Sequence, residues 1–144
     1  MTDVEESWSE VGLGSRRGIN MAIKTIQDLE VYRLAYSLAM DIFKCSVRFP
    51  KEEVYSLTDQ IRRSSRSVAI NIREGYAKRN YEKVFFRHLN DALGSSEETR
   101  GWLSFARDCG YLEKDECLCL NKEYDHINAM LYRLMKNWKS TTNQ

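Results

Sequence analysis

Residues 60–79 read QIRRSSRSVAINIREGYAKR. Leu57, Ile61, Ser65, Val68, Ile72 and Gly75 recur at helical spacing and fall in one stripe. That period, uninterrupted by proline, predicts one long helix with a single core face, from about Glu52 to Ala77. The same segment carries Arg62, Arg63, Arg66, Arg73, Lys78 and Arg79 against a single acid, Glu74. Arg62, Arg66 and Arg73 line up beside the apolar stripe. Gln60, Ser64, Ser67 and Asn71 form the opposite flank, and Ile70 stands on the otherwise polar back.

Three more helical segments surround it. The first runs from about Asp28, a plausible cap, to Arg48, with Phe49 and Pro50 as its stop. The third begins near Asn80, a good cap with Glu82 in the first turn, and ends at Gly110. The last runs from about Lys114 to Lys139, with Leu120, Tyr124, Ile127, Leu131, Leu134 and Trp138 in one stripe. Short links between long helices make neighbours antiparallel, so the expected fold is all-α: a single-domain, up-down-up-down four-helix bundle over 25–139. Residues 1–24 read as an unperiodic tail, acidic and then glycine-rich, with Trp8 as its one large apolar residue. Met21 is an alternative start, and residues 140–144 read as a C-terminal tail.

The first helix has more than one apolar side. Glu30, Arg33, Ser37, Asp41, Lys44 and Arg48 share one polar stripe. Leu29, Tyr32, Tyr36, Met40, Phe43 and Val47 lie on one side of it. Val31, Leu34, Leu38, Ile42, Cys45 and Phe49 lie on the opposite side. In the third helix Phe85, Leu89, Ala92 and Leu103 define the core face. Phe86 and Leu93 flank it on one side, Val84 and Trp102 on the other. Apolar arcs wider than one bundle can cover predict self-association. The expected interface is Val31, Leu34, Leu38, Ile42, Phe86, Leu93 and Ile70.

Bulk properties exclude several classes. A chain of 144 residues is one domain's worth, and a net charge of +1 leaves no global field toward nucleic acid or acidic membrane, so any basic footprint is local. No run of residues approaches a membrane span, and the N-terminus lacks a signal core. The expected location is therefore cytoplasmic, with Cys45, Cys109, Cys117 and Cys119 as reduced, buried thiols. Cys117 and Cys119, with His88 and His126, lack the paired spacing of a zinc site, so no metal or cofactor is expected. No phosphate-cradling glycine loop and no nucleophile motif is present. His88 reads as a core-edge histidine, and Glu97 and Glu98 point to different sides of one helix, so no enzyme is predicted.

QIRRSSRSVAINIREG resembles the signature of the four-helix-bundle family of bacterial proteins encoded in 23S ribosomal RNA intervening sequences. DLEVYRLAYSLAMDIF, RFPKEEVYSLTDQIRRS and FFRHLNDALGSSEETRGWLSFARDCGYL extend the resemblance over residues 25–139. Gln60, Ile61, Arg62, Arg63, Ser67, Asn71, Ile72, Glu74 and Gly75 keep the pattern, while Ser64, Ser65, Ala69 and Arg73 depart from it. The resemblance implies a bundle commonly assembled into a ring of five. A related branch, accessory proteins of diversity-generating retroelements, forms similar rings that bind nucleic acid and a reverse transcriptase.

Two functions stay open at this point. In the first, Arg62, Arg63, Arg66, Arg73, Lys78 and Arg79 contact the phosphates of RNA or DNA, RNA being favoured. Tyr76 and Tyr81, beside Lys78 and Arg79, are then the best stacking residues, most other aromatics falling on core stripes. In the second, the chain is a protein-interaction scaffold whose arginines pair with acids such as Glu97, Glu98, Glu52 or Glu53, within a chain or between copies. Asn71, Glu74 and Gly75 read as structural. Glu74 is placed to pair with Lys78, and Gly75 marks a close helix crossing, with Gly94 and Gly101 suggesting the same.

Overall fold

A computed structural model describes residues 23–142. Helices α1 (Glu30–Ser46), α2 (Leu57–Ala77), α3 (Glu82–Asp108) and α4 (Lys114–Thr142) form the antiparallel four-helix bundle expected from the sequence. They pack in chain order, α2 against α1 and α3, α3 against α4, and α4 back against α1. The stripes of α2 and α4 point inward as expected, from Ile61, Val68 and Ile72 to Tyr124, Ile127 and Leu131.

Element boundaries differ where the chain turns. Asp28 does not cap α1. Its carboxylate reaches back to accept the backbone N–H groups of Lys24 (2.8 Å) and Thr25 (2.9 Å), closing a 3-10 turn at Ile26–Asp28. Leu29 holds the α1 cap position with no side-chain bond. Ile23, within the expected tail, and Ile26 pack on the core; Trp8 and Met21 lie outside the described residues. After Pro50 the chain makes a second 3-10 turn, Lys51–Glu53, and α2 starts only at Leu57. Asn80 lies in the turn before α3, whose cap position is Tyr81. Helix α4 continues to Thr142, so most of the expected C-terminal tail is helical, with 143–144 outside the described residues.

The α3 C-terminus shows why Gly110 is where it is. The Tyr111 N–H donates to the Ala106 carbonyl (2.9 Å) and the Gly110 N–H to the Arg107 carbonyl (3.0 Å), a Schellman closure. That geometry needs a left-handed residue, and Gly110 has φ +80°.

Helix α2 meets α3 through small polar residues. Ser64 and Ser65 are buried and satisfied, their hydroxyls donating to the Ile61 (3.3 Å) and Arg62 (3.0 Å) carbonyls. Thr99 donates to Ser64 (2.8 Å), and Ser67 meets Ser95 (2.9 Å). Replacing apolar residues by serine is tolerable here because each hydroxyl bonds back into the helix or across the seam. At Gly75 the helices approach so closely that an added Cβ would lie 2.7 Å from His88 Cβ. Gly94 and Gly101 do not share this role: both are exposed, with open space where a Cβ would go.

The assignment of the two apolar sides of α1 is reversed. Val31, Leu38 and Ile42 are buried inside the single chain. Leu34, Phe86 and Leu93 are partly buried and pack against the same core. Val31, Leu38 and Ile42 are therefore no outer face, while Leu34, Phe86 and Leu93 keep part of their surface exposed. The outward side is instead Tyr36, Met40, Phe43 and Val47, and Ile70 of α2 is exposed as expected. The polar hydroxyl of Tyr36 and the flexible thioether of Met40 suit solvent better than Leu38 and Ile42 do, while Val47 is exposed at the cap position past the end of α1.

Candidate nucleic-acid interface

The arginines of α2 divide into two groups. Arg62 and Arg73 lie across the α1–α2 seam. The Arg62 guanidinium stands 4.8 Å from the centre of the Phe43 ring, and its Nε donates to Ser46 Oγ (2.8 Å). Arg73 stands 5.7 Å from the centre of the Tyr32 ring and donates to Tyr32 Oη (3.1 Å). Arg66, one turn beyond Arg62, is exposed and makes no ion pair among the described residues. Around them are the exposed Tyr36, Met40, Phe43, Val47 and Ile70. This is an apolar strip set with cations.

The second group surrounds the α2–α3 turn. Lys78 is exposed, and Arg79 stacks 4.1 Å above the Tyr76 ring while donating to the Tyr76 carbonyl (3.1 Å). Lys83 and Arg87, on the first turns of α3, are also exposed. Residues 73–87 hold five basic side chains (Arg73, Lys78, Arg79, Lys83, Arg87) and two acidic ones (Glu74, Glu82), a local balance of +3. Lys83 and Arg87 escaped the sequence reading because they belong to the next helix, across the turn from Lys78. Tyr81 is 72% exposed at this turn, but Tyr76 is buried in the core and is no stacking platform.

Three of the four acids expected as partners of these arginines, Glu97, Glu98 and Glu53, are engaged elsewhere. Glu97 meets Arg100 (3.0 Å) and Asn128 (2.7 Å), and Glu98 accepts the Trp102 indole N–H (3.0 Å). Glu53 accepts the Ser56 hydroxyl. Among the described residues, only Arg63 of this run has an acidic partner, Asp59 on its own helix (3.2 Å). Glu74 does not pair with Lys78; it lies 3.9 Å from His88 Nδ1, across the Gly75 crossing. The far flank of α2 is closed, with Asn71 donating to Ser67 (3.0 Å) and Ser67 bonded to α3.

The cysteines split evenly. Cys45 and Cys117 are buried, their thiols donating to the Ile42 (3.4 Å) and Leu103 (3.5 Å) carbonyls. Burial, with the nearby Glu116 carboxylate adding to it, pushes the Cys45 thiol up to about 11. Cys109 and Cys119 are exposed, contrary to the expectation that all four are inside. An aromatic disulfide reagent at pH 8 is therefore expected to titrate Cys119 in seconds and the buried Cys45 and Cys117 only on unfolding. Among the described residues no cluster of histidine, cysteine or carboxylate side chains is arranged to hold a metal. No helix there is long and apolar enough to cross a membrane.

Comparison with known proteins agrees with the resemblance carried by residues 60–79. No curated protein matches significantly. Among solved structures, a protein of unknown function from the S23 ribosomal protein family of Bacteroides thetaiotaomicron superposes with a TM-score of 0.67 at 26% identity, covering 74% of this chain and 95% of that one. The description 23S rRNA-intervening sequence protein matches residues 27–133, which span all of α1, α2 and α3 and most of α4. The chain belongs to the 23S rRNA-intervening sequence protein family.

Proposed function

We propose that the chain is a non-catalytic, self-associating bundle that binds nucleic acid through the C-terminal part of α2 and the α2–α3 turn. The observation that carries this reading is the unneutralised cationic surface there. Lys78, Lys83 and Arg87 are exposed and make no ion pair among the described residues, and Tyr81 projects beside them. Such a surface suits a phosphate backbone, and repeated around a homo-oligomer it multiplies a modest local charge. Five copies is the expectation from the resemblance. The family's name makes RNA the first ligand to test.

The scaffold reading has its own support, at a different place. Arg62 and Arg66 stand among Tyr36, Met40 and Phe43, a mixture of arginine, aromatic and methionine typical of protein interfaces. We assign these two arginines to self-association and the turn to nucleic acid.

Fluorescence anisotropy against structured RNA, single-stranded RNA and duplex DNA over a salt series tests the main reading. Binding that weakens steeply and linearly on a log–log salt plot is expected. Absence of binding to every ligand at low salt would remove it.

A further inference from the structure

The exposed apolar residues of α1 form a continuous strip. Tyr36, Met40, Phe43 and Val47 recur every three or four residues over about 16 Å of helix. Tyr36 is 56% and Val47 64% exposed. Alongside run Arg62, Arg66 and Arg73, none with an acidic partner among the described residues. Two such strips would bring no acid to each other's arginines, since none of these seven residues is acidic. The strip calls for a surface that is apolar and acidic.

The same chain has one. Between the segment leading into α2 and the last turns of α3 lies a groove of about 410 Å³, its lining including Glu53, Tyr55, Gln60, Trp102, Phe105 and Cys109. Tyr55 is 93% and Phe105 60% exposed, and the Trp102 and Phe105 rings lie 5.7 Å apart. No lysine or arginine lines it. Glu98 is at its edge, hydrogen-bonded to the Trp102 indole (3.0 Å). Arg63 and Arg107, in the two segments that form the groove, are held by Asp59 and Asp108.

We propose that the α1 strip of one copy docks into the Tyr55–Phe105 groove of the next, a head-to-tail contact between two different faces. It rests on the self-association reading above and names the surfaces that perform it. Opposite charge fits the arginine-bearing strip to the acid-bearing groove, and each contact leaves one strip and one groove free, so that copies add until a ring closes.

The test uses two double variants of the full chain at exposed positions. Met40→Asp/Val47→Asp disables the strip, and Tyr55→Asp/Phe105→Asp disables the groove. Native mass spectrometry, with circular dichroism to check folding, is expected to find each variant monomeric and their equimolar mixture forming heterodimers and nothing larger. In the mixture one intact strip meets one intact groove, and the disabled faces cap both ends. Arg66→Glu, which breaks no ion pair within the described residues, is expected to weaken wild-type assembly at least tenfold. It remains informative if an aspartate variant fails to fold. A groove variant that assembles like wild type, a mixture that stays monomeric, or indifference to Arg66→Glu would each overturn the pairing while leaving self-association standing. A monomeric wild-type chain at micromolar concentration would instead overturn self-association itself.

Discussion

Gly75→Ala is expected to destabilise the bundle by about 2 kcal/mol, although alanine is the better helix former by about 1 kcal/mol. The new methyl carbon would lie 2.7 Å from His88 Cβ, 3.2 Å from Phe85 Cδ1 and 3.3 Å from the Phe85 carbonyl oxygen. Two of these three atoms are fixed to the α3 backbone and cannot swing aside. Relief requires α2 and α3 to separate, and that would loosen the fully buried Phe85 and the Ser64–Thr99 bond further along the seam. Gly75→Val, with a branched side chain, is expected to cost more still. Gly94→Ala is the matched control. Its added carbon meets open space, so helix propensity acts alone and the variant gains about 0.5–1 kcal/mol. Urea unfolding of the two alanine variants should therefore move the midpoint in opposite directions. A gain at Gly75 would mean that the helices are not held at the separation seen here.

These two glycines also mark the limit of sequence reading. Both stand mid-helix, and the helical wheel reports a face but not the distance to the neighbour opposite. Periodicity sufficed for α2 and α4, where polar and apolar residues segregate to opposite sides and burial follows directly. It failed on α1, where both flanks of the polar stripe are apolar and the period has no means to choose between them. The choice was made by packing, which keeps Val31, Leu38 and Ile42 inside and leaves Tyr36 and Met40 outside. The excess of apolar surface on α1 was legible whichever side faced out, but which of its residues are exposed was not. The arginines of α2 were visible as a run. Their division into a seam group and a turn group depends on Phe43, Tyr32, Lys83 and Arg87, which come from other helices.

That division yields the second large effect. Lys78→Glu/Arg79→Glu changes the local balance of residues 73–87 from +3 to −1, since five bases and two acids become three and four. In an oligomer the change repeats in every copy. Nucleic-acid affinity at about 50 mM salt is expected to fall at least about 100-fold, and the log–log salt slope to shrink by close to one unit for each phosphate that is no longer neutralised. Lys78→Glu alone is the cleaner half of the pair. Lys78 is exposed, whereas Arg79 covers the Tyr76 ring at 4.1 Å, so Arg79→Glu also forfeits a cation–π interaction worth about 0.5–1 kcal/mol of stability. Tyr81→Ala separates charge from stacking. With the ring 72% exposed, its removal is expected to weaken single-stranded RNA binding by about 1–3 kcal/mol and leave duplex DNA binding unchanged, because a paired base has no free face to offer it. If Arg66→Glu lowers affinity as much as Lys78→Glu while the oligomer remains intact, phosphate is read along the α1–α2 strip and the turn assignment fails. If its effect on affinity appears only where assembly is abolished, the strip joins copies and the turn binds the ligand.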